Sequence, residues 1–285
     1  MKVNSVARRA PPIRNTCGWL GIWLLAAMPV IAAEDAGLRA AIAAEQRTPA
    51  FAARDRYRHP YETLRFFGIE PQLTVVEIWP GGGWYTEILA PYLRARGKLY
   101  VAHFPEAMAR PFYRELRERF LAKLAATPDM YDRVEVTEFL PPEHLDIAPA
   151  GSADLVLTFR NVHNWAMRGG GEANTLAAFR AFHRALKPGG VLGVVDHRLP
   201  AGRPLADQEE SGYLREDFVI GIATEAGFEL AARSELNANP RDSADHPHGV
   251  WSLPPSLRGG DEDRERYQTI GESDRMTLKF VKPVH

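Results

Sequence analysis

The chain reads as an α/β protein with a mostly parallel sheet of seven strands, helices on both faces and an antiparallel final strand. Two observations predict it. Short apolar runs alternate with helix-period segments from residue 73 to about 236, the pattern of strand–crossover–strand units. The first of these runs, "LTVVEIW" (73–79), leads directly into three glycines, Gly81, Gly82 and Gly83. A glycine turn between a strand and a helix is a common cradle for a nucleotide-like cofactor.

The elements follow in order. Residues 36–53 read as a helical leader interrupted near Pro49, and 54–69 as a basic segment that turns helical near Pro60 and stops at Gly68. "LTVVEIW" is nearly continuous in apolar residues, as a strand buried on both faces requires. A helix over "YTEILAPYLRAR" ends at Gly97, and a second strand is "KLYVAHF" (98–104). Leu116, Phe120 and Leu124, four apart, mark the next helix. Strands are expected at 133–139, 153–159 and 191–197, with a helix before the last of these that Gly189 terminates. "REDFVIGIATEAG" reads as a helix, "FELAARSEL" as a strand, and "MTLKFVK" (276–282) as the closing strand. No helical signal separates the last two strands, which makes them antiparallel neighbours. The intervening residues, about 237–275, are rich in proline, glycine and charge. So long an excursion in a compact domain is expected to be a lid or binding loop.

The 285 residues carry a formal net charge of −1, so no basic excess points to nucleic acid or to an anionic membrane. Arg8, Arg9 and Arg14 precede an uncharged stretch, "CGWLGIWLLAAMPVIAA" (17–33). Basic, apolar and small residues in that order describe a secretory signal peptide over 1–33, cleaved after Ala32 or Ala33. The expected location is the periplasm or the exterior; an uncleaved membrane anchor is the alternative. The expected organisation is signal peptide 1–33, leader 34–69 and a main domain 70–285 containing the 237–275 insertion. Cys17 is the only cysteine. A cleaved chain has none, which excludes a disulfide, a cysteine nucleophile and a thiolate zinc site.

The ordered motifs resemble the class I S-adenosylmethionine-dependent methyltransferases, which have a Rossmann-like fold. The first motif of that family reads here Glu77-Ile-Trp79-Pro-Gly81-Gly-Gly83, with Trp79 at the place of the first glycine. "RALKPGGVLGVVD" (184–196) is similar to the helix–turn–fifth-strand segment and "EAGFEL" (225–230) to the helix end before the sixth strand. "FRNVHNW" (159–165) resembles the stretch after the fourth strand in quinone-pathway methyltransferases. The whole is similar to a group of exported bacterial predicted methyltransferases.

The resemblance implies S-adenosylmethionine as cofactor and a small-molecule methyl acceptor. It places Glu77, Trp79, Gly81, Gly82, Gly83, His103 and Phe104 at the cofactor, His103 standing where the family has an acidic residue for the ribose. Pro80 is expected to push Trp79 towards extended backbone, so that the turn begins one residue later and the indole forms a pocket wall. Arg160, Asn161 and His163 are the candidate catalytic residues, with His163 the natural base. His103, His163, Asp196 and His197 all fall at strand ends, and His246 and His248 in the excursion. These spacings match no metal signature, so no metal site is assigned. Two other readings compete: an exported non-catalytic binding protein on the same fold, and a metal-dependent hydrolase. Export counts against methyl transfer, because the cofactor is made in the cytoplasm.

Overall fold

The computed structural model describes residues 1, 36–167 and 171–284; the expected signal peptide lies outside the described residues, apart from Met1. Among the described residues no helix is long and apolar enough to cross a membrane. The strands are β1 (Thr74–Ile78), β2 (Lys98–His103), β3 (Val134–Glu138), β4 (Ala153–Phe159), β5 (Leu186–Leu199), β6 (Leu214–Arg215), β7 (Glu229–Ser234) and β8 (Arg275–Val281). They form one sheet in the order β3-β2-β1-β4-β5-β8-β7, with the short β6 beside β5. The pairs from β3 to β5 are parallel, and β8 runs antiparallel to both β5 and β7. This is the expected mostly parallel sheet with an antiparallel closing strand.

Successive side chains point to opposite faces of a strand, and the core divides accordingly. Val76, Tyr100 and Val156, neighbours in register, pack on one face with Phe179 and Phe182 of the helix Gly171–Ala185. Val75, Leu99 and Leu155 pack on the other with Leu89 and Leu93 of the helix Thr86–Leu93. Leu38, Leu64 and Phe67 of the leader join that second core. Phe67 approaches so closely that a Cβ on Gly193 would lie 2.7 Å from its ring. The leader is therefore built onto the sheet. It comprises helix over 36–42 and the helices Pro49–Ala52, Asp55–Arg58 and Pro60–Phe67.

The helix expected to run to Gly97 ends at Leu93, and the junction before β5 differs more. The helix before β5 ends at Ala185, not at Gly189, and β5 begins at Leu186. Pro188 disfavours helical backbone at Lys187, so the chain extends before the glycines. The short β6 carries too little periodicity to be read from sequence.

The excursion between β7 and β8 carries structure of its own: a 3₁₀ turn at Gly249–Ser252 and the helix Arg264–Ile270. Leu199, Tyr213, Ala244 and Val250 form one small core there, and Leu253, Tyr267 and Ile270 another. The Asp242 carboxylate is bonded by Tyr213 Oη at 3.0 Å and His246 Nε2 at 2.8 Å. This ties His246 into the excursion, away from the strand-end histidines.

Candidate functional site

Strand β1 ends at Ile78, and Trp79 takes φ +44°. The turn thus begins at Trp79 itself, and the expected one-residue shift does not occur. Left-handed backbone costs a non-glycine residue about 1–2 kcal/mol, and tertiary contacts offset it. Trp79 N–H donates to Ala102 O at 2.8 Å and its indole Nε1–H to Phe139 O at 2.8 Å. The indole lies against Phe104, Trp165 and Phe139, with ring centroids 4.6, 5.4 and 6.0 Å away. Pro80's steric preference is outweighed by this packing.

The three glycines face different surroundings. A Cβ on Gly82 would meet Phe51 at 3.2 Å and one on Gly83 would meet Phe120 at 3.1 Å. Gly83 is buried there, whereas Gly82 itself remains exposed. Gly81, at φ +60°, has nothing among the described residues within 4 Å of that position, which leaves its side of the turn open to a ligand.

Glu77 and His103 point inwards. Glu77 is 2 % exposed and accepts a hydrogen bond from Thr86 Oγ1 at 2.6 Å. Burial is the larger influence and pushes its carboxyl up to about 7, against the lowering effects of Thr86 and Lys123. His103 Nδ1 accepts from Phe104 N–H at 2.8 Å, so Nε2 carries the proton and donates to Gly81 O at 3.3 Å. Burial holds this imidazole down to about 4. With both ring nitrogens engaged, His103 has no acceptor for a ribose; it braces the turn. Asn161 is likewise turned inwards. Its Nδ2 donates to Ile78 O at 2.8 Å and contacts Thr158 Oγ1 at 3.3 Å, which makes it a positioning residue at the end of β1.

Beyond the carboxyl ends of β1 to β4 lies a cavity of about 240 Å³. Its walls include Trp79, Phe104, Tyr113, Trp165 and Trp251, with Asn164 and Asn174 as polar groups. Ligands of open parallel sheets bind at this edge.

The other half of the crevice is charged. His163 Nδ1 and Asp196 Oδ1 are 2.8 Å apart. Asp196 is fully buried at the end of β5 and also accepts the N–H groups of Val162 and His197, each at 2.7 Å. The carboxylate fixes the His163 tautomer with the proton on Nδ1 and leaves Nε2 as an acceptor. The His197 ring lies 4.9 Å from that of His163, tilted by 55°, and its Nδ1 contacts Ser273 Oγ at 2.5 Å. Burial first, then the charges of His163, Arg160, Arg275 and Arg58, hold the His197 ring well below the ordinary imidazole range.

Arg160, with φ +61°, extends from the end of β4 towards Arg54, Arg58, Arg275 and Glu272. Burial lowers its guanidinium to about 10, with Glu272 acting in the opposite direction. Glu272 accepts from Arg54 Nε at 2.7 Å and Arg275 Nη1 at 3.1 Å. Its own burial raises the carboxyl, but the surrounding guanidiniums together outweigh that and hold it near about 2.

Sequence reasoning brought His163, Asp196 and His197 to one rim, and the structure brings their ligating atoms within 4.8 Å of one another. His103 and His246 stand apart from them. Two histidines and a carboxylate can hold a metal ion. Here Asp196 is already committed to His163 Nδ1 and to the N–H groups of Val162 and His197, and three arginines act on His197 with a positive field that opposes a cation. Sequence reasoning missed Arg54, Arg58, Glu272, Ser273 and Arg275. The basic run at 54–58 was a visible signal for the first two; nothing local marks the other three.

No family model matches the chain, and no curated protein matches it in sequence. Its structure is similar to several that have been solved. One is a SAM-dependent methyltransferase from Aquifex aeolicus, at TM-score 0.53 and 15% identity, covering 87% of this chain and 98% of that one. Another is a putative sarcosine dimethylglycine methyltransferase from Galdieria sulphuraria, at TM-score 0.55 and 14% identity, covering 84% of this chain and 90% of that one. A third is the [4+2]-cyclase SpnF, at TM-score 0.50 and 18% identity, covering 80% and 82%. The chain thus has the fold on which S-adenosylmethionine-dependent methyltransferases are built.

Proposed function

We propose that this chain is an S-adenosylmethionine-dependent methyltransferase acting on a small molecule. The carrying observation is an aromatic cavity at the strand-end edge of the sheet whose wall includes Asn164 and Trp165, which follow His163 in the chain, and Trp251, whose ring lies 6.2 Å from that of His163, itself paired with Asp196. Trp79, Phe104 and Tyr113 fit a planar adenine, with the amides of Asn164 and Asn174 available for hydrogen bonds. Gly81 allows close backbone approach from the open side of the turn. When bound, the cofactor supplies an electrophilic methyl group.

The chain's residues supply the rest. His163 Nε2 takes the proton of the attacking atom, and Asp196 stabilises the imidazolium that results. Neutral His197 and the Ser273 hydroxyl border the same space without adding charge. The aromatic walls exclude water and hold the reactants in line. The 237–275 segment places Trp251 against the cavity and Glu272 and Ser273 at the charged half, a position suited to a lid.

A second reading, an exported binding protein on this fold, draws on Glu77, His103 and Asn161. All three are occupied by internal hydrogen bonds. Calorimetric titration with S-adenosylhomocysteine separates the two. Methyl transfer requires saturable binding; no heat at millimolar ligand from folded protein transfers the assignment to the binding protein. We also propose export, with cleavage after Ala32 or Ala33, on the basic-apolar-small pattern of 1–33. Mass spectrometry of cell fractions checks it, and intact Met1 on cytoplasmic material contradicts it.

A further inference from the structure

We infer that Arg54, Arg58, Arg160 and Arg275 form a binding site for an oxyanion, a phosphate or carboxylate, carried by the methyl acceptor. The assignment to an acceptor rests on the methyltransferase reading; the anion site itself does not.

The charge count is unbalanced. Among the described residues, Glu272 is the only carboxylate bonded to these four guanidiniums. Arg58 reaches it only at 3.5 Å and without hydrogen-bond geometry. Buried arginines are ordinarily matched by acids or carbonyls. Arg275, 4 % exposed, donates to Glu272 and to the Tyr57 carbonyl, which leaves Arg58, 3 % exposed, without a matched partner among the described residues.

The donors are also unfilled. Arg54 Nη2, Arg58 Nε and Nη2, and Arg275 Nε are buried with no hydrogen-bond partner among the described residues. Arg160 makes no side-chain hydrogen bond or ion pair among the described residues. Arg58 gains one other stabilising contact, its guanidinium lying 4.6 Å over the Trp84 ring. A purely structural strap between leader and sheet would match its charges and fill its donors. Unfilled fork-shaped donors around excess positive charge suit the planar or tetrahedral face of an oxyanion.

Position links the site to chemistry. Arg160 follows β4 three residues before His163, and Arg160, Arg275 and Arg58 all act on His197. An acceptor anchored here by its anion presents its nucleophile near His163. The cofactor's own carboxylate suits the site poorly, because its methionyl end also carries an ammonium. Unneutralised guanidiniums repel that cation.

The test titrates the full chain with inorganic phosphate and with succinate at constant ionic strength, against chloride, with and without S-adenosylhomocysteine. We expect saturable binding of at least one probe, with a rise in Tm above the chloride control; which probe binds identifies the anion. Arg160→Gln should weaken that binding about tenfold or more, while the unliganded Tm stays level or rises. Binding should persist at saturating S-adenosylhomocysteine. The proposal is overturned if neither probe binds beyond chloride, if Arg160→Gln lowers the unliganded Tm and leaves affinity unchanged, or if S-adenosylhomocysteine displaces the probe. Anion binding without any S-adenosylhomocysteine binding supports the site and counts against the methyltransferase reading alone.

Discussion

The two halves of the strand-end crevice are built from different chemistry. Over β1 to β3 the walls are aromatic, and the ionisable groups beneath them, Glu77 and His103, are pushed by burial towards their neutral forms. Over β4 and β5 the side chains are ionic, with a buried carboxylate on His163 and an arginine cluster around Glu272. The contrast teaches that the glycine turn alone is a poor guide to where polar recognition happens. Charge has been removed from the turn and concentrated at the ends of the neighbouring strands β4 and β5. The non-glycine residues Trp79 and Arg160 adopt left-handed backbone at the ends of β1 and β4, one in each half. Strain of this kind persists where surrounding structure holds it and is common at functional sites.

Substitutions in each half should break this contrast in different observables. In the ionic half, His163→Ala should lower methyl transfer by about 10²–10⁴-fold with a loss of about 1–2 kcal/mol in stability, since the buried Asp196 keeps its backbone donors. Asp196→Ala should lower activity similarly and also cost about 2–4 kcal/mol of stability, since the buried N–H groups of Val162 and His197 lose their acceptor. Chemical denaturation beside an isotope-transfer assay separates these two outcomes. Equal activity in His163→Ala and wild type would remove the base from the account.

In the aromatic half, the largest effect should be on stability. Trp79→Gly deletes an indole packed on three rings, at a cost of about 3–5 kcal/mol, and relieves about 1–2 kcal/mol of backbone strain. A net loss of about 1–4 kcal/mol is expected in denaturant titration. A stabilised variant would mean that the indole is not what holds the turn.

The pH dependence sharpens the comparison further. Glu77 has its folded value raised to about 7, so its protonated form favours the folded state. That stability is fully present below the unfolded value and is lost as pH rises through 7, by up to about 3 kcal/mol. His103 acts in the opposite sense. Its folded value is lowered to about 4, so stability is lost as pH falls from the ordinary imidazole value towards 4. The two partly cancel between them in wild type. Glu77→Gln should therefore expose the His103 limb, with stability that falls on acidification and no longer declines towards pH 7. An unchanged pH profile contradicts the burial argument.

The smallest effect is expected at Gly81. Gly81→Ala adds a methyl into open space at φ +60° and should cost about 1–2 kcal/mol, yet weaken S-adenosylhomocysteine binding. Gly83→Val, by contrast, drives its side chain against Phe120 and should act through folding. Measuring Tm and affinity together distinguishes them.

Much of the fold was legible because its signals are local. The near-continuous apolar runs at 73–79 and 153–159 mark central strands buried on both faces; the antiparallel closure holds as expected, although the short helix Arg264–Ile270 before it went unread. Half of the site was legible for the same reason: strand-end residues such as His163, Asp196 and His197 share a rim once strand order is known. What sequence could not supply was direction. Nothing in "VAHF" says that both His103 nitrogens turn to the backbone, and the preference imposed by Pro80 lost to the contacts of the Trp79 indole. Arg275 and Glu272 meet Arg54 and Arg58 across more than 200 residues, a pairing invisible to any local pattern.

The division of the crevice is tested most directly by hydrogen exchange of the full chain with and without saturating S-adenosylhomocysteine. The account predicts new protection at residues 79–81, 104–113 and 140–141, which carry the aromatic walls and the open side of the turn. It predicts unchanged exchange at 54–58 and 272–275, which carry the arginine cluster. Protection confined to 54–58 and 272–275, or none anywhere at saturating ligand, would contradict it.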